Sequence, residues 1–170
     1  DVYASDNNFE GACQLLERAL KKAQYKKSKK IWSAIQKLRL QAGDPTAAKK
    51  LLIRSMQSLG KHKHIWIIKN YAFAEFDIGS PDRARNLFEE LLADLPKRLD
   101  LWHLYVDREI KSGNIQQARS LFERMTTLKM STKMMSSLFK KWLVFERENG
   151  DEESCQAVMQ KATEYRNSLL

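Results

Sequence analysis

The chain contains little of the material from which turns and sheets are built. Its 170 residues include 6 glycines and 3 prolines, too few for the many tight turns of a multi-stranded sheet. It also lacks any run of 18 apolar residues, which excludes a membrane-spanning helix. Leu, Ala, Lys, Arg, Glu and Gln are abundant instead, and these residues favour helices. The composition therefore predicts an all-helical protein.

Cysteine is equally scarce. Cys13 and Cys155 are the only two, they lie far apart, and they show no CxxC spacing. We predict free thiols, which are typical of a reducing compartment such as the cytosol or nucleus. The sequence also lacks a Ser-His-Asp order, a glycine-rich phosphate loop and a cluster of metal-ligating residues. We therefore expect no catalysis, no cofactor, no metal and no small-molecule substrate.

Four glycines recur at intervals of 36, 34 and 37 residues. They are Gly43, Gly79, Gly113 and Gly150. Each is followed by Asp, Ser or Asn, the residue types that cap helix N-termini, and proline comes next in two cases. Glycine after one helix and a capping residue before the next mark the junction between paired helices. The pattern predicts four such junctions.

Other residue types recur at fixed offsets from these glycines. A small residue follows at the fifth position, bulky apolar pairs at the eighth and ninth, and aromatic residues or isoleucine precede by eight and eleven. The small and aromatic members are Ala48, Ala84, Ala118, Trp32, Tyr71, Trp102, Tyr105 and Trp142. These offsets lie on one helical face, so we interpret them as core positions; an aromatic ligand cage is the alternative. Glu precedes three of the glycines by four residues, and Arg39 occupies that place in the first repeat.

The periodicity predicts nine helices, at 8–24, 29–42, 45–58, 63–78, 81–94, 98–112, 115–128, 132–149 and 152–168. They form the pairs 29–58, 63–94, 98–128 and 132–168, with 8–24 left as a lone second helix because residues 12–20 match 118–125. We predict one domain over residues 1–170, an α-α superhelix, or solenoid, of stacked pairs. Because a lone helix exposes an apolar face, we expect a longer parent protein or a covering chain, which includes homodimerisation.

The positive charge is concentrated in the first part of the chain. The net charge is +9, and residues 1–70 hold 15 Lys and Arg against 5 Asp and Glu. Residues 71–170 hold 15 against 16. Such asymmetry predicts a polyanionic partner, either a nucleic acid or an acidic protein, at the N-terminal end.

Two short basic segments account for much of this charge. The candidate binding residues are Lys21, Lys22, Tyr25, Lys26, Lys27, Lys29, Lys30, Lys61 and Lys63. Lysine displaces counterions from a nucleic-acid backbone, and Tyr25 could stack on a base. The alternative is a solvated corner whose lysines favour a helix C-terminus. If stacking of the repeats aligns the two loops, they form one basic edge.

The motif W-x2-Y-x3-E-x3-G-N-x3-A-R-x-L-F-E-R over residues 102–124 resembles the half-a-tetratricopeptide (HAT) repeat. HAT repeats occur in proteins of pre-mRNA splicing, 3′-end cleavage and ribosome biogenesis. From residue 95 on, the stretches LPKRLDLW, LFERM, KKWL and KATEY are similar to the C-terminal repeat domain of the ribosomal RNA processing protein five family, also called programmed cell death protein eleven.

The resemblance implies a function in ribosome biogenesis. In that family an array of S1 RNA-binding domains precedes the repeats. The resemblance implies a non-catalytic scaffold in the nucleus and nucleolus that binds proteins of the small-subunit processome and pre-ribosomal RNA. The alternative is a HAT-repeat scaffold of pre-mRNA splicing or 3′-end processing, in homodimeric form.

Overall fold

The computed structural model describes residues 6–169, with side chains from Asn8 on. Over that range the chain forms ten α-helices and a 3₁₀ turn at Lys61–Lys63, and no strand. The helices are α1 (Asp6–Lys21), α2 (Ala23–Lys26), α3 (Lys29–Gln41), α4 (Pro45–Ser58), α5 (His64–Asp77), α6 (Pro81–Asp94), α7 (Leu99–Lys111), α8 (Ile115–Thr126), α9 (Thr132–Asn149) and α10 (Glu152–Asn167). The predicted fold class, all-α helix pairs of the superhelical type, is confirmed. None of the described helices is long and apolar enough to cross a membrane.

Helix boundaries follow the sequence signals closely where caps are present. The helices α4, α6 and α9 begin and end at the predicted residues. The Asp44 carboxylate accepts a hydrogen bond from the backbone N–H of Ala47 at 2.9 Å, and Pro45 occupies the first helical position. Asp151 caps α10 in the same way, by accepting from the N–H of Ser154 at 2.8 Å. These caps satisfy N–H groups that no helical carbonyl can reach.

The predicted helix 8–24 is wrong at its C-terminal end. The helix α1 stops at Lys21, the backbone of Lys22 is extended, and the chain resumes as the four-residue helix α2. Leu20 is the last buried residue of α1. Short helices depend on burying an apolar face. The lysine-rich residues after Leu20 have no such face, so α1 does not continue through them.

The residues of α1 that face the core also differ from those that the sequence match predicts. Aligning residues 12–20 with 118–125 puts Ala12 in the small-residue position and Leu15 in the core. The structure instead buries Cys13 and Leu20 completely or nearly so, and leaves Leu15 67% exposed. The helix is thus rotated by about one residue position relative to the expected register, and Cys13 occupies the place that Ala118 has in its own repeat.

The chain divides into two compact units, the first ending at Leu91 and the second beginning at Leu92. In the first unit α3 packs against α1, α4 and α5, and α6 joins α5 through the rings of Phe73 and Phe88, whose centroids are 6.0 Å apart. In the second unit α7 packs on α8, α8 on α9, and α9 on α10. The single domain predicted over residues 1–170 stays a prediction.

The residues that define the repeat are buried within their units. The small residues Ala48, Ala84 and Ala118 are fully buried, so that a neighbouring helix can approach closely. The aromatic residues are at most 3% exposed: Trp32, Tyr71, Trp102, Tyr105 and Trp142.

The recurring glycines are of two physical kinds. Gly43 and Gly113 both have φ of 76°, in the left-handed region that favours glycine. After Gly113, the N–H of Asn114 donates to the Glu109 carbonyl at 2.9 Å and closes the helix end. At Gly79 and Gly150 a side chain would not fit. The carboxylates of Glu75 and Glu146 occupy the positions where a Cβ would stand.

Candidate nucleic-acid interface

The first unit carries a basic edge, defined here as the corner of residues 21–30 between α1 and α3 together with residues 61–63 before α5. The lysines of this basic edge are Lys21, Lys22, Lys26, Lys27, Lys29, Lys30, Lys61 and Lys63. Most of them are exposed, and only Lys29 and Lys63 are half-buried. Tyr25 is 40% exposed in the same corner.

The structure brings the two basic segments into contact. The Lys63 ammonium donates a hydrogen bond to the backbone carbonyl of Lys27 at 2.9 Å. The Lys29 ammonium lies 4.5 Å from the centroid of the Trp66 ring, within the range of a cation–π interaction. The two loops that the sequence places one repeat apart therefore form one continuous surface, with Lys29 and Lys63 engaged in holding it together.

The corner is held in place by a buried tryptophan. The Trp32 indole N–H donates to the backbone carbonyl of Lys26 at 2.9 Å, and the N–H of Ser28 donates to the carbonyl of Tyr25 at the same distance. These bonds satisfy backbone carbonyls at the end of α2 that lack a helical partner. The lysines are thus presented from a fixed backbone, although their side chains project into solvent.

A cavity of about 260 Å³ opens beside this corner. Lys21, Lys26 and Arg54 line it with Gln57 and Ser58. None of these three cations has an ion-pair partner among the side chains that the structure describes. Glu17 also lines the cavity. The cavity therefore combines excess positive charge with an amide and a hydroxyl group, a suitable set for the phosphate and edge of a nucleotide.

Sequence reasoning missed Arg54, Gln57 and Ser58, although a signal for Arg54 was present. Arg54 follows Gly43 by 11 residues, and Arg124 follows Gly113 by the same interval. The Arg54 guanidinium lies 5.7 Å from the Trp32 ring centroid.

The equivalent pair in the second unit has the same form. The Arg124 guanidinium lies 5.1 Å from the centroid of the Trp102 ring. The Trp102 indole N–H donates to the carbonyl of Pro96 at 2.9 Å, six residues upstream, as in the Trp32 pair. A repeated Trp–Arg pair thus marks this position in two repeats.

The surroundings of the recurring glutamates are those of structural residues and not those of a catalytic acid–base pair. Glu75 is fully buried, and Arg83 donates to its two oxygens at 3.0 and 2.8 Å. The backbone N–H of Ser80 donates to the same carboxylate at 2.9 Å. Burial opposes ionisation, but these hydrogen bonds outweigh it and lower the pKa of Glu75. Burial and then the charge of Glu75 raise the pKa of the Tyr71 hydroxyl.

Glu146 repeats this arrangement with a partner from the preceding helix pair. Arg119 donates to Glu146 through Nε at 3.0 Å and through Nη2 at 2.9 Å, and the Trp142 indole donates at 3.2 Å. Glu109 accepts a hydrogen bond from the Asn114 side chain at 2.9 Å. No group of three potential metal ligands gathers among the residues described.

In the first repeat the charges of this ion pair are exchanged between the two helices. Arg39 stands in the glutamate position, and it contacts Glu10 at 2.7 Å and Glu17 at 3.4 Å, both on α1. The Arg39 side chain is only 16% exposed. These ion pairs connect α1 to α3.

Comparison with known proteins identifies the repeat. The family described as "Pre-mRNA-splicing factor Syf1/CRNKL1 C-terminal HAT repeat" matches residues 3–166. An rRNA biogenesis protein RRP5 from Arabidopsis thaliana is 41% identical over 169 residues, 99% of this chain and 9% of the relative. The Schizosaccharomyces pombe rRNA biogenesis protein rrp5 is 40% identical over 141 residues, 83% of this chain and 8% of the relative. The resemblance predicted from the sequence is confirmed.

A splicing protein is also among the relatives. The pre-mRNA-splicing factor clf-1 of Neurospora crassa is 25% identical over 135 residues, 79% of this chain and 19% of that protein. The chain therefore spans less than a tenth of the length of the two more similar relatives and about a fifth of this one.

Proposed function

Because this chain belongs to the HAT-repeat family, we propose that it is a non-catalytic scaffold module of ribosome biogenesis whose basic edge contacts pre-ribosomal RNA. The two RRP5 relatives support the process, since both are named as rRNA biogenesis proteins. The helix-pair repeats support the scaffold role, because such arrays offer extended surfaces to several partners. We assign the module to small-subunit pre-ribosomal RNA processing, with processome proteins as further partners in the nucleus and nucleolus.

The observation that carries the RNA contact is the junction of the two basic loops. The hydrogen bond from Lys63 to the Lys27 carbonyl joins them into one surface, and the cavity lined by Lys21, Lys26 and Arg54 lies beside it. A row of lysines with an accessible aromatic ring suits a flexible phosphate backbone with unstacked bases. An acidic protein segment is the alternative ligand for the same charges.

Purification of the tagged chain from nuclear extract tests this function. We expect pre-ribosomal RNA and rRNA biogenesis proteins to be enriched over untagged extract. The variant with Lys21, Lys22, Lys26 and Lys30 replaced by Ser should retain protein partners but lose most of the RNA. A matched control replaces four exposed cations of the second unit with Ser: Lys97, Lys129, Lys133 and Arg147.

The second candidate is a scaffold of pre-mRNA splicing or 3′-end processing. The description of the matching family and the clf-1 relative favour it. If the purified material contains spliceosomal RNAs or cleavage factors instead of pre-ribosomal RNA, the ribosome-biogenesis proposal is wrong and this candidate replaces it. Retention of RNA by the basic-edge variant would contradict the RNA contact alone.

A further inference from the structure

The second unit contains a groove between α9 and α10 that the basic edge does not include. It encloses about 390 Å³. Phe139 and Tyr165 line it, with Leu169 beside them, and Lys140 and Arg166 line it as well. The helix α9 contributes Lys140 and Phe139, and α10 contributes Tyr165 and Arg166, so that each helix supplies one aromatic ring and one cation.

The aromatic side chains of the groove pack against rings in the core of the second unit. The ring centroids of Phe139 and Tyr165 are 6.0 Å apart, with an interplanar angle of 46°. Phe139 stacks on Trp142 at 6.5 Å, and Trp142 stacks on Phe122 at 5.6 Å. The groove is therefore the open end of a column of rings that continues into the core of the unit. A preformed aromatic surface binds a ligand at low entropic cost.

Some cations of the second unit form ion pairs, whereas, in the described part of the chain, the two cations of the groove do not. Lys141 contacts Asp107 at 2.7 Å, Lys161 contacts Glu123 at 3.2 Å, and Arg119 pairs with Glu146. Lys140 and Arg166, in contrast, make no ion pair with any side chain that the structure describes. Two exposed and uncompensated positive charges thus flank an apolar surface.

We propose that this groove docks an acidic segment of a partner protein, with an aromatic or leucine side chain against Phe139 and Tyr165 and carboxylates on Lys140 and Arg166. Charge complementarity selects the occupant: the groove offers two cations and no carboxylate among its lining residues. The apolar surface supplies the binding free energy, and the charges supply orientation and selectivity. The proposal concerns the second unit and does not depend on RNA contact by the first.

Selection from a random peptide display library on the whole chain tests the proposal. We expect the enriched peptides to combine Asp or Glu with Phe, Trp or Leu. The strongest of them, labelled with fluorescein, is then titrated with the chain by fluorescence anisotropy. Its amide counterpart, with each Asp and Glu changed to Asn and Gln, should bind about tenfold or more weakly.

Two pairs of variants localise the binding. Lys140→Glu with Arg166→Glu should weaken the selected peptide about tenfold or more, whereas the matched control Lys129→Glu with Arg147→Glu should leave it within about twofold. Exposed Leu169→Ser tests the apolar wall without disturbing the core, and we expect a loss of about threefold to tenfold. Circular dichroism verifies that every variant is helical.

Five outcomes overturn the proposal. The enriched peptides could lack acidic residues, or no peptide could be enriched. The selected peptide could bind equally to the groove variant and to the control variant. Sedimentation could show a self-associating chain whose dimer is lost in the groove variant, in which case a second copy occupies the groove. A labelled oligouridine could bind the chain and lose affinity in the groove variant but not in the control variant, with no peptide that competes for the site. That result would assign the groove to RNA.

Discussion

At the scale of single residues, charged groups in the two cores are tolerated because each has a dedicated partner. Glu75 and Glu146 are at most 3% exposed, and each accepts two hydrogen bonds from one arginine. Losing the arginine of such a pair leaves the buried carboxylate uncompensated in a low-dielectric surrounding. These carboxylates therefore contribute to stability through their neighbours, and a change in either partner should be costly.

The Glu75 carboxylate should make stability depend on pH in the acid range. Its pKa in the folded chain lies below the ordinary value of 4.5. The contribution of a lowered pKa is present above the ordinary value and is lost as the pH falls through the folded-state pKa. We expect Glu75→Gln to lower the free energy of unfolding by about 3 kcal/mol at neutral pH.

Urea unfolding of both proteins between about pH 7 and pH 3 measures this difference. The difference between wild type and Glu75→Gln should be constant above about pH 5 and should shrink at lower pH, and linkage predicts that most of its pH-dependent part is lost once the pH reaches the folded-state pKa. The exposed Glu148→Gln variant serves as control and should track wild type throughout. A difference independent of pH would show that Glu75 does not titrate as described.

The two kinds of glycine should respond in opposite order to substitution. Gly43 has a positive φ and open space around its Cβ position, so Gly43→Asn should cost less than Gly43→Ala, whose left-handed backbone costs about 1 to 2 kcal/mol. At Gly79 the Glu75 carboxylate fills the space. There Asn should be worse than Ala, with a loss of at least about 2 kcal/mol as the ion pair is disturbed.

Urea unfolding of the four glycine variants provides the measurement. An identical ranking of Ala and Asn at Gly43 and Gly79 would contradict the distinction between the two kinds of glycine.

The sequence predicts where these glycines lie, because their spacing and the capping residues are visible in it. It does not reveal which physical reason applies, since that depends on a backbone angle in one case and on the placement of a neighbouring side chain in the other.

At the scale of helices, the sequence pattern is reliable where a helix has neighbours on both sides and less so for α1. Leu15 and Leu16 are adjacent in sequence, so either can serve as the inward residue of an amphipathic pattern. In the structure Leu16 is the residue that packs against the core, and Arg39 of α3 pairs with Glu10 and Glu17 of α1. The short helix α2 is missed for a similar reason, because a tertiary bond from Trp32 shapes it.

Substitutions on α1 test its observed position. Leu20 is 6% exposed and Leu15 is 67% exposed. We expect Leu20→Ala to lower the free energy of unfolding by about 3 kcal/mol and Leu15→Ala to change it by less than about 0.5 kcal/mol. Chemical denaturation followed by circular dichroism measures both. A larger loss for Leu15→Ala would restore the register expected from the sequence match.

The candidate site itself is predicted only in part at this scale. The lysines of the basic edge are visible as two charged segments, and the repeat period suggests that their loops are neighbours. The hydrogen bond from Lys63 to Lys27 and the cation–π contact of Lys29 with Trp66 require the folded structure. The cavity residues Arg54, Gln57 and Ser58 lie on α4, too far along the chain to be associated with residues 21–30 by sequence alone.

At the scale of the whole molecule, the positive charge is unevenly distributed along the chain. Residues 1–70 carry the excess positive charge, and residues 71–170 are nearly neutral. We propose RNA contact for the first unit and protein docking for the second, an arrangement that would let one chain join two classes of partner. The homodimer expected as one way to cover α1 stays a prediction, which light scattering over a range of concentrations tests.

The salt dependence of RNA binding tests the central claim most directly. Anisotropy of a labelled single-stranded RNA, titrated at several salt concentrations, gives the slope of log K against log salt, which changes by about 0.7 for each phosphate contact. Replacing Lys21, Lys22, Lys26 and Lys30 with Ser should flatten the slope by about 2 to 3, while the control variant of the second unit should retain it. An unchanged slope in the basic-edge variant would show that these lysines are a solvated corner.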